Sequence, residues 1–339
     1  MGRTEYTNPV HEGSFPDPFV MQVDGVYYAF GTDMVPGARR VIGLCRSDDL
    51  VSWEPMEPAL ERPPLPPEES DQFWAPEVAE SDGRFFLYYS TGRQDTRHRI
   101  RVAASATPMG PYRDLGRVLT PDEPFAIDPH PFRDDDGTWY LYYARDFLDG
   151  ERAGTALVVD RLIGMQELAG SQRTVLRASA DWQIFRRARP MYGGVYDWHT
   201  LEGPFVRKHE GRYYCLYSGG AWEEANYGVS YAVADSPLGP FTEPVSVGDG
   251  PALLRTVPGR VIGPGHCSVT VGPDGGDWII YHAWDAGRTA RRMYIDRLEW
   301  TQDGPRCIGP TWTPQPGPAV AAVSRSSARQ PPRSGPSAR

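Results

Sequence analysis

The most regular feature of the chain is a pattern of polar and hydrophobic positions that recurs five times. Each copy starts with an ionisable residue and continues with a short β-type run, a turn that contains glycine, and a run rich in aromatic residues. The turns carry the pairs DG, EG or GG, which are the strongest short-range sign of a β-hairpin. The pattern therefore predicts five hairpins in the same phase. The copies start at Asp17, Glu77, Asp128, Glu202 and His266.

A third β-type run follows every hairpin, and weaker fourth runs appear as LVSWEP, GPYRDLG and GPFTEPV. Four strands in a unit that is repeated around an axis describe one blade of a β-propeller. The sequence thus predicts an all-β, five-bladed β-propeller with the active site in its central funnel. We expect one catalytic domain over residues 1–312, with a long insertion at 162–200, and a disordered tail rich in Pro, Ser and Arg over 313–339.

Composition and charge agree with this fold and exclude some partners. The 339 residues include 36 Gly and 34 Pro, and aromatic residues reach 12%, which favours short strands and turns over a helical bundle. The 35 basic and 44 acidic side chains give a formal net charge of −9. Such a chain has no basic footprint for nucleic acid or for an anionic membrane, so we expect neither as a partner.

The start of the chain and its cysteines bear on where the protein works. Residues 1–19 contain no apolar core of the kind that a secretory signal needs. The four cysteines are widely spaced and fit free thiols better than a disulfide framework. These features predict a cytoplasmic protein, or a secreted one whose leader has been removed.

The first strand of each propeller blade lines the central axis, so the five starting residues are expected to converge. Like charges in a confined site separate pKa values, which lets one carboxyl act as an acid and another as a base. The simpler alternative is that Asp17 and Asp128, each followed by proline, only cap the starts of strands. Aromatic rings beside carboxylates suit a sugar, although core packing is the alternative for the two tryptophans. The neighbouring aromatic residues are Phe15, Trp74 and Trp198.

Several short motifs resemble the blade motifs of glycoside hydrolase family 43, in the same order over about residues 8–312. They read SFPDPFV, WAPEV, IDPHPF, LEGPFV and GPGHCSV. The resemblance implies a five-bladed propeller that hydrolyses arabinose- or xylose-containing glycans in a single displacement with inversion. By matching motifs, Asp17 resembles the general base, Glu202 the general acid, and Asp128 the residue that modulates the pKa of the acid. Inversion requires such a separated pair of carboxyl groups.

Further site residues are expected beside these motifs and at the start of the last inner run. We expect substrate contacts from Trp74, Phe15, Trp198, His199, His266 and Arg292. The resemblance implies that no cofactor is required for the reaction. In some members of the family, the histidine that His266 resembles touches a structural calcium in the central channel, mainly through water.

The resulting hypothesis is an inverting, exo-acting α-L-arabinofuranosidase on arabinan or arabino-oligosaccharides. Alternatives within the family are a β-xylosidase, an endo-arabinanase and an exo-galactanase. An alternative of another class is a sugar-binding propeller without catalysis. The complete set of Asp17, Asp128 and Glu202 favours an enzyme, since a lectin has no use for a separated acid and base. The expected partner is an oligosaccharide that contains arabinose or xylose.

Overall fold

A computed structural model describes residues 5–32, 37–66, 69, 72–244 and 248–318. The strands around blade 1 are β1 (Glu5–Tyr6), β2 (Phe19–Val23), β3 (Val26–Gly31), β4 (Arg40–Val41), β5 (Gly43–Ser47), β6 (Glu54–Pro55) and β7 (Leu60–Glu61). Blade 2 is formed by β8 (Gln72–Ser81), β9 (Arg84–Arg93), β10 (Thr96–Ser105) and β11 (Arg113–Val118).

The second half of the chain continues in the same way. The strands around blade 3 are β12 (Ala126–Arg133), β13 (Trp139–Phe147), β14 (Gly154–Ile163), β15 (Glu167–Leu168) and β16 (Arg173–Leu176). Blade 4 follows with β17 (Ile184–Met191), β18 (Gly194–His209), β19 (Arg212–Gly219) and β20 (Gly228–Ala234). Blade 5 and the end of the described chain contain β21 (Val261–Val271), β22 (Asp277–Asp285), β23 (Arg291–Thr301), β24 (Gly304–Cys307) and β25 (Gln315–Pro316).

The sheet topology confirms the predicted five-bladed β-propeller. The strand orders from axis to rim are β2-β3-β5-β6, β8-β9-β10-β11, β12-β13-β14-β16, β18-β19-β20 and β21-β22-β23-β24. The five inner strands contact one another in a ring around the axis. Aromatic side chains fill the space between blades, as where Phe30 of blade 1 meets Tyr112 edge-on at 6.1 Å between ring centroids. No helix in the described ranges is long and apolar enough to cross a membrane.

The five predicted hairpins are confirmed, and their turn residues explain why. In the turns Asp24–Gly25, Asp82–Gly83 and Glu210–Gly211 both residues have positive φ angles, and the flanking strands pair directly on either side. This is the type I′ geometry that matches the twist of antiparallel strands. Glycine suits the second position because it has no Cβ to resist a positive φ. Gly137 and Gly275 lie in longer turns of blades 3 and 5.

Each inner strand is interrupted, or preceded in blade 1, by a residue with positive φ that is followed by proline. In the inner strands of blades 2 to 5 the pairing register shifts across this dipeptide. A bulge of this kind bends a strand and re-aims side chains, and it is common beside active sites. These five positions are Asp17, Ala75, Asp128, Gly203 and Gly263, with φ between 46° and 58°.

The predicted insertion is divided between two blades. Its β16 pairs with β14 and serves as the fourth strand of blade 3. Its β17 pairs with the first half of β18 to form a hairpin, and the second half of β18 continues as the inner strand of blade 4. The base of this hairpin is joined to blade 3 by parallel pairing between Gly154 and His199. A Cβ on Gly154 would lie 1.9 Å from the carbonyl oxygen of His199, so this approach requires glycine.

The two ends of the described chain close the ring. Strand β1 pairs with β25 through Glu5–Pro316 and Tyr6–Gln315. The side chain of Asn8 bonds to both the backbone N–H and the C=O of Ile295 in blade 5, at 2.9 and 2.7 Å. Strand β25 lies beyond the domain boundary that we predict at residue 312, so the propeller includes part of the predicted tail. Residues 319–339 of that tail lie outside the described residues.

Candidate active site

A pocket of about 360 Å³ opens on the propeller axis. It is lined by all three proposed catalytic carboxyl groups, Asp17, Asp128 and Glu202. The predicted substrate contacts Trp74, Trp198 and His266 also line it. The structure therefore brings residues from all five inner strands or their bulges to one site.

The bulges explain how two of the carboxyl groups reach the pocket. Asp17 and Asp128 occupy the same position in blades 1 and 3, immediately before proline, with φ angles of 53° and 58°. Aspartate tolerates this left-handed conformation better than most residues, and backbone strain of this kind is characteristic of functional sites. Glu202 lies one residue before the bulge of blade 4, where Gly203 has the positive φ. A Cβ on Gly203 would approach the His266 ring to 3.2 Å.

Asp17 is surrounded by one guanidinium, two imidazoles and a hydroxyl. Its Oδ2 accepts a hydrogen bond of 2.6 Å from the hydroxyl of Thr32, and its Oδ1 lies 3.3 Å from a guanidinium nitrogen of Arg291. The Nδ1 atoms of His282 and His266 lie 3.2 and 3.6 Å from Oδ1. Burial alone would raise the pKa of Asp17, but the guanidinium of Arg291, and the two imidazoles when they are protonated, outweigh burial and hold it well below its usual range. Asp17 is therefore ionised at neutral pH.

The pKa values of Glu202 and Asp128 are shifted in the opposite direction, upward. Burial raises the pKa of Glu202 to about 7, and the charge of Asp17 adds to this against an opposing hydrogen bond from Tyr227 and the charge of Arg291. Burial, followed by the charges of Glu202 and Asp17, raises the pKa of Asp128 well above its ordinary value. The backbone N–H of Gly203 donates to Asp128 Oδ2 at 2.9 Å. Since repulsion between two carboxylates is mutual, the coupled pair of Asp128 and Glu202 keeps its protons to higher pH than free carboxyl groups do.

His266 faces both aspartates at the centre of the pocket. Its Nδ1 lies 3.6 Å from Asp17 Oδ1 and 3.8 Å from Asp128 Oδ2, and burial lowers its pKa. Among the described residues, no three His, Cys, Asp or Glu side chains are arranged to hold a metal ion. Calcium takes six to eight oxygen ligands, so the described side chains alone do not fit such an ion. A calcium held mainly through water stays a prediction.

Three of the predicted substrate contacts lie outside the lining of the pocket. Phe15 is buried against Gly31 and Gly43 in the core of blade 1. The imidazole Nδ1 of His199 lies 3.0 Å from the carbonyl oxygen of Asp197, at the base of the β17–β18 hairpin. Arg292 forms ion pairs with Asp285 and Glu12. Arg292 turns away from the pocket because adjacent residues of a strand point to opposite faces, and Arg291 is the one that lines it.

The fifth starting residue, Glu77, has a structural role. Its Oε2 lies 2.6 Å from Nδ1 of His130, and Nε2 of His130 accepts the backbone N–H of Val206 at 2.9 Å. These contacts join the inner strands of blades 2, 3 and 4. Burial raises the pKa of Glu77, although His130 opposes the shift. This pair lies outside the lining of the pocket and fixes the spacing of the blades that carry the site.

Sequence reasoning did not single out several residues of the site, and from the neighbouring pair Arg291 and Arg292 it chose Arg292 as the substrate contact. Thr32, Trp222 and Arg291 line the pocket, and the Arg291 guanidinium stacks on Trp222 at 4.4 Å. Tyr227 and His282 lie behind Glu202 and Asp17. These residues belong to second and third strands or to loops, where the sequence contains many similar aromatic and basic residues. The alternation of Arg291 and Arg292 along β23 was the one usable signal, and it does not say which arginine faces inward.

The β17–β18 hairpin forms a wall on one side of the pocket. Phe185, Arg189 and Trp198 contribute to the lining from this hairpin. The Arg189 guanidinium stacks on the rings of Phe185 and Trp198 at 4.8 and 5.6 Å and forms an ion pair of 2.8 Å with Asp95. Asp95 lies in the β9–β10 turn of blade 2. The wall therefore reaches from blade 4 across to blade 2.

Two proteins of known description are similar in sequence. Beta-D-galactofuranosidase xynD from Aspergillus niger is 30% identical over 89% of this chain and 84% of its own length. Xylosidase/arabinosidase 43A from Humicola insolens is 32% identical over 69% of this chain and 74% of its own length. Their names differ in the sugar that is released, and they agree on hydrolysis of a glycoside.

A further comparison corrects the expected location. The extracellular exo-alpha-(1->5)-L-arabinofuranosidase from Streptomyces avermitilis is 23% identical over 88% of this chain and 62% of its own length. A similar enzyme from Streptomyces chartreusis, also named extracellular, is 25% identical over 82% of both chains. The prediction of a cytoplasmic protein, which we based on the first residues and the free cysteines, is therefore wrong.

The family assignment rests on sequence and fold together. The crystal structure of a thermostable family-43 glycoside hydrolase has 32% sequence identity and a TM-score of 0.81, and covers 93% of this chain and 100% of that chain. The family profile described as Glycosyl hydrolases family 43 matches residues 6–305. This chain belongs to glycoside hydrolase family 43.

Proposed function

We propose that this glycoside hydrolase is an inverting, exo-acting α-L-arabinofuranosidase, with Asp17 as the general base and Glu202 as the general acid. The observation that carries the proposal is that Asp17 and Glu202 line one pocket, where their different surroundings shift the two pKa values in opposite directions. The pKa of Asp17 is held well below its usual range, while that of Glu202 is raised to about 7. Carboxyl groups whose surroundings separate their pKa values in this way suit an acid and a base.

In the proposed mechanism the glycosidic bond is broken in a single displacement. The ionised Asp17 takes a proton from a water molecule as that water attacks the anomeric carbon, and Glu202 gives its proton to the departing glycosidic oxygen. Arg291 and Thr32 hold the carboxylate of Asp17 in place and keep it charged. In this proposal Asp128 forms no bond with the reacting atoms. Its contact with the N–H of Gly203 fixes the chain next to Glu202. Burial and the charge of Glu202 raise the pKa of Asp128, and because repulsion between two carboxylates is mutual, an ionised Asp128 opposes ionisation of the acid.

The wall formed by the β17–β18 hairpin supports exo action. A long glycan that is cut internally must pass through the site, which requires a groove open at both sides. The hairpin and its ion pair with Asp95 restrict the pocket on the side of blades 2 to 4. Such a pocket suits the end of a chain, and one that is lined by Trp74, Trp198 and Trp222 can pack on the C–H face of a sugar ring.

A β-D-galactofuranosidase is the second candidate, because the relative from Aspergillus niger carries that name. An α-L-arabinofuranosyl ring and a β-D-galactofuranosyl ring present the same ring hydroxyls and differ in the length of the group on C4. A site that binds one of these sugars therefore contacts the same ring hydroxyls of the other. The pocket volume of about 360 Å³ exceeds that of a single pentose, so volume alone does not favour the shorter sugar. The β-xylosidase alternative requires a six-membered ring in the same pocket.

The test is hydrolysis of three nitrophenyl glycosides by the purified protein: α-L-arabinofuranoside, β-D-galactofuranoside and β-D-xylopyranoside. We expect the highest kcat/KM on the arabinofuranoside and release of single arabinose units from linear arabino-oligosaccharides at all times of the reaction. A tenfold preference for either of the other glycosides would overturn the choice of sugar. Early release of longer oligosaccharides would overturn exo action.

A further inference from the structure

Two aromatic side chains lie behind the pocket, between the proposed acid and the proposed base. The hydroxyl of Tyr227 donates a hydrogen bond of 2.6 Å to Oε1 of Glu202. The ring of Tyr227 stacks on the ring of His282, with 5.9 Å between centroids and 11° between the planes. Nδ1 of His282 lies 3.0 Å from the backbone nitrogen of Asp17 and 3.2 Å from its Oδ1. A continuous chain of contacts therefore leads from Glu202 to Asp17.

The position of Tyr227 is built into the backbone of blade 5. A Cβ on Gly265 would lie 2.0 Å from Cε1 of the Tyr227 ring. A Cβ on Gly263 would lie 3.4 Å from the Cβ of Tyr227 and 2.9 Å from a backbone oxygen. The GPG segment at 263–265 therefore leaves a slot that the buried Tyr227 fills. A ring held this closely has little freedom to move its hydroxyl away from Glu202.

His282 is equally confined at the other end of the chain of contacts. Its side chain is fully buried in the described structure. Burial lowers the pKa of His282 to about 4, with Arg291 also acting in that direction and Asp17 opposing it. The imidazole is therefore neutral at neutral pH, so it contacts Asp17 without adding a full charge beside the base.

We propose that Tyr227 and His282 form a rigid spacer that fixes the acid Glu202 relative to the base Asp17, with Tyr227 as a positioning residue for the acid. This inference rests on the proposed roles of the two carboxyl groups. An inverting enzyme must hold its acid and base far enough apart for the sugar and a water molecule. One ring lies on β22 and the other in the segment just before β20, and two stacked rings held by separate segments resist changes in that separation.

The contact with Tyr227 also assigns a role to each oxygen of Glu202. Since Oε1 accepts the hydrogen bond from Tyr227, the proton transferred to the leaving group belongs on Oε2. A donor of this kind stabilises the ionised form of Glu202 and so limits how far burial raises its pKa. The other titratable or charged groups that act on Glu202, or that it acts on, are Asp17, Asp128, Glu223 and Arg291. The substitution Tyr227→Phe leaves all four in place.

The first test is the pH profile of Tyr227→Phe. Removing the donor destabilises ionised Glu202, so its pKa should rise and the alkaline limb of kcat/KM should move to higher pH by about one unit. The matched control is Tyr281→Phe, which removes another buried tyrosine hydroxyl, 2.7 Å from Asp296 and outside the pocket lining. We expect its alkaline limb to stay where it is in the unsubstituted enzyme. An unmoved limb in folded Tyr227→Phe would overturn the proposal.

The second test asks whether the two rings act together. His282→Asn keeps a polar group near the backbone N–H of Asp17 and removes the ring that stacks on Tyr227. We expect each single substitution to lower kcat on an oligosaccharide by about tenfold, and the double variant to lose less than the product of the two losses. If the loss of kcat in the double variant equals the product of the two single losses, the proposal of a spacer is overturned. This failure differs from failure of the proposed function, in which Glu202→Gln would remain active.

Discussion

At the scale of single residues, the proposed mechanism makes the alkaline limb of activity depend on the raised pKa of Glu202 and on its neighbour Asp128. Burial raises the pKa of both groups, and the charge of Glu202 also opposes ionisation of Asp128. Repulsion between two carboxylates is mutual, so an ionised Asp128 opposes ionisation of Glu202 in turn. A group whose pKa is raised keeps its proton to higher pH, so the pair supplies a protonated acid near neutrality. In Asp128→Asn this repulsion is lost, and the pKa of Glu202 should fall. We therefore predict that the alkaline limb of kcat/KM moves toward lower pH, measured on one aryl glycoside.

The acidic limb provides the internal control for this prediction. In the proposed mechanism it depends on ionisation of Asp17, which the guanidinium of Arg291 still favours in the variant. We expect it to move less than the alkaline limb. A lower plateau with both limbs unmoved would show that Asp128 orients the substrate and does not tune the acid.

The sequence predicted that Asp17, Asp128 and Glu202 would meet at one site. It did not predict where each of them lies relative to the bulge in its strand. The five starting residues were expected to occupy one position in every blade, but only Asp17 and Asp128 lie at the bulge before proline. Glu202 precedes that position by one residue, while Glu77 and His266 follow it by two and three. Because a bulge adds residues to one strand, spacing along the chain does not reveal which side chains are re-aimed toward the axis.

At the scale of elements, the β17–β18 hairpin lines one side of the pocket. Arg189 connects it to blade 2 through Asp95 and stacks on two rings of the hairpin. Removing the side chain of Arg189 should loosen the wall and weaken substrate binding by about 1 kcal/mol. We predict that Arg189→Ala raises KM for an arabino-oligosaccharide about fivefold and changes kcat less than twofold, as steady-state kinetics would show.

A second variant separates the ion pair from the stacking contacts. Asp95→Asn removes the charge that pairs with Arg189 and leaves the guanidinium between Phe185 and Trp198. The pair is exposed on the Asp95 side, so we expect a smaller rise in KM than in Arg189→Ala. A fall in kcat with unchanged KM in either variant would contradict a role of this hairpin in binding.

The elements differ in how well the sequence predicted them. Turns such as Asp24–Gly25 impose a local geometry, and the five hairpins were confirmed. The segment 162–200 contains no turn motif that predicts its partners. Its β16 completes blade 3, and its β17 pairs with the first half of β18 next to blade 4. Strand pairing between distant segments depends on tertiary contacts that propensity and periodicity do not encode. The wall of the pocket was therefore not predictable.

At the scale of the whole molecule, closure of the ring depends on contacts between residues nearly 290 positions apart. The buried side chain of Asn8 satisfies both backbone groups of Ile295. Asn8→Ala would leave a buried N–H and C=O without these partners, at about 1–3 kcal/mol each. We predict that the free energy of unfolding falls by about 2–4 kcal/mol, measured by denaturant titration.

Measuring the activity of Asn8→Ala distinguishes a role of Asn8 in closing the ring from a role in catalysis. Asn8 does not line the pocket, so the folded fraction of Asn8→Ala should retain the kcat/KM of the unsubstituted enzyme. A loss of kcat/KM without loss of stability would contradict the proposed structural role. The sequence predicted five blades because each blade repeats a local pattern, but it placed the domain end at residue 312, before the strand β25 that helps to close the ring.

The central claim is that Glu202 donates the proton and Asp17 activates the water. The most direct measurement compares Glu202→Gln and Asp17→Asn on two substrates of the same sugar, one with a dinitrophenyl leaving group and one with a sugar leaving group. A good leaving group needs no proton, so Glu202→Gln should lose about 10²–10⁴-fold on the oligosaccharide and less than tenfold on the aryl glycoside. Asp17→Asn should lose activity equally on both. Equal losses for Glu202→Gln on the two substrates would contradict the assignment.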